Sequence, residues 1–192
     1  MTQIILASQS AQRKSMMDTL GISYEIIPAD IDEKRIVAQD LAERAQKIAL
    51  AKAEEIEKLH PEAIIIAADT YGDLHGQALE KPADKKEAAE MLRAQSGNWV
   101  KGYTGFAYLD GKMQKKHHEV FVFEYKFRSL SDSEIQYYVS HNPVTTWAAG
   151  IAPAYDEGLA LLETMKGSLT AFSHGLPMER VASFLKESNV LQ

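Results

Sequence analysis

The sequence predicts a mixed α/β protein whose sheet is parallel in one part and antiparallel in another. Strand-like and helical segments alternate through the first half of the chain, which is typical of parallel strands joined by helices. Two strand-like segments, 98–109 and 119–129, then flank Asp110-Gly111, a dipeptide that favours an antiparallel hairpin. In the second of these segments, four aromatic residues at every other position share one face.

The first strand and helix are predicted at 3–7 and 11–20. Ser10 is a natural N-cap for this helix, because its hydroxyl can accept a hydrogen bond from a free backbone N–H. Gly21 is a natural stop, since glycine readily adopts the left-handed conformation that ends helices. The apolar run at 24–27 predicts a second short strand.

A helix over 40–59 and a strand over 63–68 follow. Apolar residues recur at helical spacing in the first segment. The uninterrupted apolar run from Ala63 to Ala68 indicates a central strand that is buried on both faces and ends at Asp69.

Three further helices are indicated by their N-terminal signals. Asp84 with Glu87 resembles a capping box for a helix at 85–95. A second helix begins near Ser131 and ends near His141, and Pro177 opens the last one. Between them, residues 144–170 predict short strands and loops.

The composition limits the classes of function. The 192 residues fit one domain, 1–192, with two lobes around a cleft as an option. There is no cysteine, so disulfides and thiolate chemistry are excluded. The net charge of -6 disfavours a partner that is a nucleic acid polymer, but it leaves room for a small anionic ligand. No signal peptide or membrane-spanning run is visible, and no membrane partner is expected.

The polar stretch after the first strand is typical of a phosphate site. Ser8 and Ser10 supply hydroxyls and Arg13 supplies a forked cation, next to the free N–H groups of a helix N-terminus. The alternative is an ordinary N-cap followed by a solvated basic turn. If the first and third strands are neighbours, this stretch faces the same crevice as Asp69 and Thr70.

Lys52 and Asp69 are the next candidates. Lys52 lies on the apolar stripe near the middle of its helix, so its ammonium either reaches a cleft or snorkels to solvent. Asp69 follows a buried strand and needs a partner, a metal or a catalytic role, unless it is a cap or turn residue. Asp30, Asp32 and Glu33 form an acidic group, of which one or two could join Asp69 in holding Mg²⁺.

Other motifs are weaker. Lys81-Pro82 places a cation on a rigid backbone but carries little meaning alone. His117-His118 indicates a solvated hairpin tip rather than a zinc site, because no third ligand follows at a usable spacing. Neither a G-x-S-x-G nucleophile elbow nor a nucleotide-kinase phosphate loop is present.

Seven short motifs, in order over most of the chain, resemble the Maf family of nucleoside triphosphate pyrophosphatases. They are Ser8-Gln9-Ser10-Ala11-Gln12-Arg13, Asp30-Ile31-Asp32-Glu33, Ala49-Leu50-Ala51-Lys52-Ala53, Ala67-Ala68-Asp69-Thr70, Glu80-Lys81-Pro82, Tyr103-Thr104-Gly105 and Gly175-Leu176-Pro177. The resemblance implies an elongated α/β body with a mixed sheet, flanking helices and a deep cleft, as in inosine triphosphate pyrophosphatases.

The resemblance also implies an activity and a set of residues. The activity is hydrolysis of a nucleoside triphosphate to the monophosphate and pyrophosphate, in the cytoplasm, with Mg or Mn as the divalent metal. It makes Asp69 the proton acceptor and adds Lys52 and Glu33 to the catalytic group, with Asp69 and Glu33 holding the metal. The substrate-binding residues would be Ser8, Ser10, Arg13, Thr70 and Lys81.

The chain departs from the family pattern in two places. Ala11 and Gln12 replace the proline and first arginine of S-P-R-R, which removes one phosphate clamp. In the region 149–158, which helps to define the base pocket in the family, a glutamine is missing and Glu157 stands in its place. Activity could therefore be weakened, and one alternative is a Maf-like protein that binds a nucleotide or partner without turnover.

The choice of base stays open at this point. Asp69-Thr70 resembles the branch that acts on dTTP and UTP, whereas Tyr103-Thr104-Gly105 and Glu157-Gly158 resemble the branch that acts on 7-methyl-GTP. An inosine triphosphate pyrophosphatase is a further alternative, which the S-x-S-x-x-R opening disfavours. An exposed strand edge could support a homodimer.

Overall fold

The computed structural model describes residues 2–191 and arranges seven strands of this range in one sheet. The strands are β1 (Ile4–Leu6), β2 (Glu25–Ile26), β3 (Ile64–Leu74), β4 (Gln77–Leu79), β5 (Trp99–Asp110), β6 (Lys115–Phe127) and β7 (Leu162–Lys166). The α-helices are α1 (Ala11–Asp18), α2 (Leu41–Glu57), α3 (Lys85–Gln95), α4 (Asp132–His141), α5 (Asp156–Leu159), α6 (Leu169–His174) and α7 (Met178–Glu187). Short 3-10 turns cover Glu33–Arg35, Val144–Thr146 and Ala148–Gly150.

The predicted mixed α/β fold is confirmed. The strand order is β2-β1-β3-β5-β6-β7, with β4 paired to β3. β1 lies parallel to both β2 and β3, and every other pairing is antiparallel. The helix boundaries lie within a few residues of the predicted ones, and Ser131 and Glu134 form a capping box at α4.

β3 is longer than the sequence predicts. We expected it to end at Asp69, but it continues to Leu74 and then turns into β4, which was not predicted. The reason is long-range pairing, because β5 runs beside β3 from Ile64 to Asp73. Asp69 is therefore a residue inside a strand rather than a cap or turn residue.

The hairpin between β5 and β6 is tighter than the sequence predicts. β6 begins at Lys115, so His117 and His118 lie within the strand and not at a hairpin tip. The ring of His117 packs 4.7 Å from that of Phe184 in α7. The predicted aromatic face of β6 is present, and Phe123, among others on it, is buried.

The core follows the two faces of the sheet. Ile4, Leu6, Ile64 and Ile66 pack with α1 and α7 on one face. Ile5 and its neighbours on β3 pack with α2 on the other face. A third cluster joins the aromatic face of β6 to α3, α4 and the segment after α4. Within residues 2–191, no helix is long and apolar enough to cross a membrane.

Candidate active site

The site lies where one edge of β3 is left without a neighbouring strand. β5 covers one edge of β3 along almost its whole length, so β1 and β4 both pair with the opposite edge. β1 pairs with residues 64–66 and β4 with residues 72–74. At this edge, residues 69–72 of β3 line a cleft of about 1000 Å³. The stretch Ser8 to Arg13, which follows β1, lines the same cleft, as the sequence predicts.

Successive side chains of β3 reach this cleft from opposite faces of the sheet, because side chains alternate along a strand. Asp69 is on the face covered by α2, where it meets Lys52. Thr70 is on the face covered by α1 and α7, where it meets Arg13. The cleft thus receives a carboxylate from one face and a hydroxyl from the other.

Lys52 joins two carboxylates at the α2 side of the cleft. Its Nζ lies 2.8 Å from Oδ1 of Asp69 and 2.7 Å from Oε1 of Glu33. The side chains of Lys52 and Asp69 are only 13% and 14% exposed, whereas that of Glu33 is 44% exposed. The ammonium therefore reaches into the cleft and does not snorkel away from it.

Arg13 forms the centre of a hydrogen-bond network on the opposite face. Its Nε donates to the carbonyl of Gly175 at 2.9 Å, and Nη1 donates to the carbonyl of Ala68 at 2.9 Å and to Ser8 Oγ at 3.1 Å. Nη2 donates to Thr70 Oγ1 at 3.2 Å. Burial lowers the pKa of Arg13, and the charges of Asp69 and Glu33 oppose this shift.

This network commits most of the guanidinium to the protein itself. A guanidinium has five N–H donors, and acceptors of the chain engage four of those of Arg13. The carbonyl of Ala68 lies on the strand-free edge of β3, so Arg13 replaces a missing strand partner there. Arg13 thus holds Ser8 and Thr70 in place at the cleft wall.

Two glycines of the sequence motifs permit close packing around these residues. Gly175 has φ +65, and a Cβ there would lie 2.8 Å from Thr70 Oγ1. A Cβ at Gly105 would lie 1.9 Å from the carbonyl oxygen of Ala45 in α2. Only glycine therefore lets α2, which carries Lys52, approach β5 this closely.

The N-terminus of α1 has the predicted cap. Ser10 Oγ accepts a hydrogen bond from the backbone N–H of Arg13 at 3.4 Å and donates to Oε1 of Gln12 at 3.0 Å. The Ser8 hydroxyl accepts from the backbone N–H of Ser10 at 3.2 Å. Gln12 lines the cleft but contributes no charge where the family pattern has an arginine.

Arg44 is a cleft residue that we did not predict from the sequence. Its Nη1 pairs with Oε1 of Glu80 at 2.7 Å, and its guanidinium carbon lies 5.5 Å from the centre of the Tyr71 ring. The hydrogen bond to Glu80 raises the pKa of Arg44, while burial opposes this. The signal was present in the sequence, because Arg44, Ile48 and Lys52 recur every four residues and all line the cleft.

Lys81 also lines the cleft, as predicted, and its side chain is exposed. Asp30 and Asp32 are absent from the lining. Asp32 instead accepts from the backbone N–H of Lys34 at 3.2 Å and pairs with Arg35 at 3.0 Å. Of the acidic group, only Glu33 reaches the cleft.

The far end of the cleft is aromatic. Trp147 and Tyr155 line it with their ring centres 5.5 Å apart, and Tyr125 lines it from β6. The Tyr125 hydroxyl donates to the buried Gln95 at 2.8 Å. Glu157 is absent from the lining and instead accepts a hydrogen bond from Asn142, which lines the cleft.

Among residues 2–191, no group of three or more His, Cys, Asp or Glu side chains could hold a metal. Asp69 on its strand and Glu33 on its 3-10 turn nevertheless both contact the ammonium of Lys52, so their carboxylates lie close to each other. Mg²⁺ is commonly held by one or two carboxylates together with phosphate oxygens of a substrate. Two neighbouring carboxylates fit that manner of binding.

Several curated proteins are similar to this chain over nearly its whole length. A dTTP/UTP pyrophosphatase from Pelotomaculum thermopropionicum is 36% identical over 193 residues, covering 97% of each chain. A second dTTP/UTP pyrophosphatase, from Syntrophus aciditrophicus, is 32% identical and covers 98% of this chain and 91% of its own. A 7-methyl-GTP pyrophosphatase from Bordetella avium is 32% identical and covers 96% of this chain and 92% of its own.

A solved structure with a similar fold supports the predicted architecture. The structure of a HAM1 protein from Coxiella burnetii matches with a TM-score of 0.53 at 20% sequence identity, covering 97% of this chain and all of that one. The profile of the family described as "Maf-like protein" matches residues 3–188. The resemblance that the seven motifs predict is therefore confirmed, and the chain belongs to the Maf-like protein family.

Proposed function

We propose that this protein hydrolyses a nucleoside triphosphate to the nucleoside monophosphate and pyrophosphate, acting on a non-standard, modified or pyrimidine nucleotide. The observation that supports this most is the cluster of Lys52, Asp69 and Glu33 at one wall of a cleft of about 1000 Å³. The relatives named above are pyrophosphatases of dTTP, UTP and 7-methyl-GTP, and the cleft is large enough for a nucleotide.

The reaction adds water across the α–β phosphoanhydride bond. Asp69 would accept a proton from the attacking water, because its carboxylate is the least exposed one in the cleft cluster and is held in place by Lys52. Lys52 would stabilise the negative charge that develops on the phosphates as the bond breaks. Ser8 would donate its hydroxyl hydrogen to a phosphate oxygen, and Ser10 would do so in place of its bond to Gln12, with Thr70 positioned by Arg13.

Asp69 and Glu33 would also hold a divalent metal, Mg or Mn, through their carboxylate oxygens. Such a metal would neutralise part of the phosphate charge when bound. Lys81 would add a further cation at the cleft mouth. The reaction would take place in the cytoplasm, as the family resemblance implies.

The aromatic end of the cleft would receive the base. Trp147 and Tyr155 offer flat apolar faces on which a base can stack. The Tyr125 hydroxyl is held by Gln95, so this part of the wall is rigid before the substrate arrives. Because Glu157 lies outside the lining, discrimination between bases would rest on the aromatic wall instead.

A second candidate function is nucleotide binding without turnover. The observation that favours it is Gln12, whose neutral side chain is turned back onto Ser10. A missing charge-assisted hydrogen bond can cost about 1.5–3 kcal/mol, which is enough to slow the reaction strongly. The retained Lys52–Asp69–Glu33 cluster argues for turnover.

The test is product analysis with a panel of nucleoside triphosphates in Mg²⁺ or Mn²⁺. The panel contains dTTP, UTP, CTP, ITP and 7-methyl-GTP, and the products are separated and quantified. We expect monophosphate and pyrophosphate in equal amounts from at least one substrate. Diphosphate and inorganic phosphate as products would contradict the proposed bond cleavage.

Binding measurements separate the two candidates. If a panel member binds with saturating metal but gives no product, the second candidate is the correct one. If no panel member binds or reacts, both candidates fail. Turnover of ITP alone would favour the inosine triphosphate pyrophosphatase alternative.

A further inference from the structure

We propose that Arg44 is a polyphosphate-binding residue of the cleft, whose guanidinium contacts phosphate oxygens from the α2 side. The identity of the phosphate chain as part of a nucleotide rests on the proposed function. The inference itself concerns a cation that belongs to none of the seven sequence motifs.

The position of Arg44 favours contact with a substrate. It lines the cleft and lies two turns before Lys52 on the same side of α2. Its guanidinium lies over the ring of Tyr71, and Tyr71 lies two residues beyond Asp69 on the same face of β3. Two residues of strand span roughly 7 Å, so Arg44 extends the charged wall beyond Asp69.

The donors of Arg44 are available, unlike those of Arg13. Acceptors of the chain engage four N–H groups of Arg13. Among the described residues, Glu80 is the hydrogen-bond partner of Arg44, through Nη1. The remaining N–H groups can form the paired, planar hydrogen bonds with which a guanidinium binds phosphate.

A phosphate can displace Glu80 from its ion pair with Arg44. The Glu80 side chain is 56% exposed and that of Arg44 is 21% exposed. Because more than half of the Glu80 side chain is exposed, water can solvate its carboxylate when a phosphate takes its place at Arg44. Lys81, which follows Glu80, lines the same cleft and supplies a second cation nearby.

Arg44 is also held in a fixed orientation. The hydroxyl of Tyr71 donates to the backbone carbonyl of Leu41, in the first turn of α2. Burial raises the pKa of Tyr71, so the phenol keeps the proton that this bond needs. The Tyr71 ring is thereby fixed to α2, the helix that carries Arg44, and it holds the guanidinium that lies over it. A guanidinium that is already held in place loses less freedom when it binds an anion.

The test is calorimetric titration of the full chain with inorganic tripolyphosphate, with and without Mg²⁺. We expect Arg44→Gln to raise Kd roughly tenfold to a hundredfold, the effect of losing charge-assisted hydrogen bonds. The matched control is Lys47→Gln, which removes one positive charge from the same helix. Lys47 pairs with Glu43 and lies outside the cleft lining, so we expect little change in Kd.

Glu80→Gln separates a binding role from a structural one. If Arg44 binds phosphate, removal of the competing carboxylate leaves Kd unchanged or lowers it. If Arg44 only supports the fold through its ion pair, Glu80→Gln weakens binding as much as Arg44→Gln does. Should Arg44→Gln fail to fold, Arg44→Lys keeps the charge but loses the fork, and we expect an intermediate Kd.

Unchanged tripolyphosphate binding by folded Arg44→Gln would overturn the inference, as would the absence of binding by the unsubstituted protein. These outcomes are distinct from failure of the proposed function. Turnover of a nucleotide with an unchanged KM in Arg44→Gln would refute the role of Arg44 alone. Arg44-dependent tripolyphosphate binding without nucleotide turnover would refute the pyrophosphatase activity alone.

Discussion

Replacement of Lys52 by methionine tests the charged cluster most severely. Methionine is of similar length to lysine but carries no charge, so Lys52→Met leaves two carboxylates facing each other without a cation. The ammonium lies 2.7 Å from Glu33 and 2.8 Å from Asp69, so both contacts are lost at once. We expect both stability and activity to fall.

The magnitude follows from the burial of the three side chains. Removing one partner of a fully buried ion pair costs about 3–5 kcal/mol. Glu33 is 44% exposed and water solvates it in part, so we expect a loss of about 1–3 kcal/mol in the free energy of unfolding. Loss of a group that stabilises charge in the transition state should lower kcat roughly a hundredfold or more.

The assay combines urea unfolding with pyrophosphate release, and Lys47→Met on the same helix is the control. A double-mutant cycle with Asp69→Asn should show that the two changes are not additive, with a coupling of about 0.5–3 kcal/mol, because the groups are in contact. If Lys52→Met unfolds at the same urea concentration as the unsubstituted protein and keeps its kcat, the cluster contributes neither to stability nor to catalysis.

Three further substitutions test other parts of the site. Gly105→Ala should lower the free energy of unfolding by about 2 kcal/mol or more, because its Cβ would lie 1.9 Å from the carbonyl oxygen of Ala45; an unchanged urea midpoint would contradict the close packing of α2. Gln12→Arg should raise kcat/KM roughly tenfold by adding a cation at the cleft wall, and a lower kcat/KM would show that position 12 does not face the phosphates. His174→Gln should reduce the acid sensitivity of folding. Burial lowers the pKa of His174 in the folded state, so this group destabilises the protein as pH falls below the ordinary histidine pKa of about 6.5. Equal urea midpoints of the unsubstituted protein at pH 7 and pH 5 would refute this.

The sequence predicted the elements of the fold well where the signal was local. The helix caps at Ser10, Asp84 and Ser131 are all present in the structure. The predicted end of β3 at Asp69 was wrong, because Asp69 and Gly72 are poor strand residues and suggested that the strand stops there. Pairing with β5, which is distant in sequence, overrides that local preference.

The candidate site divides in the same way. The motif residues Lys52, Asp69 and Glu33, which the sequence singles out separately on a helical stripe, after a strand and in an acidic stretch, meet in the structure. The commitment of Arg13 to carbonyl and hydroxyl acceptors could not be predicted, because its four partners come from three separate segments of the chain. Arg44 could have been found from its spacing of eight residues, about two helical turns, to Lys52, had polar positions of that stripe been considered.

The most direct test of the proposed activity compares two aspartates on β3. Asp69→Asn removes the proposed proton acceptor, while Asp73→Asn removes a carboxylate of the same strand that bonds to Tyr103 and Gly76 and lies outside the cleft lining. With the preferred nucleotide, we expect pyrophosphate release to fall about 10²–10⁴-fold in Asp69→Asn and to change little in Asp73→Asn. Full activity of a folded Asp69→Asn variant would contradict the proposed mechanism.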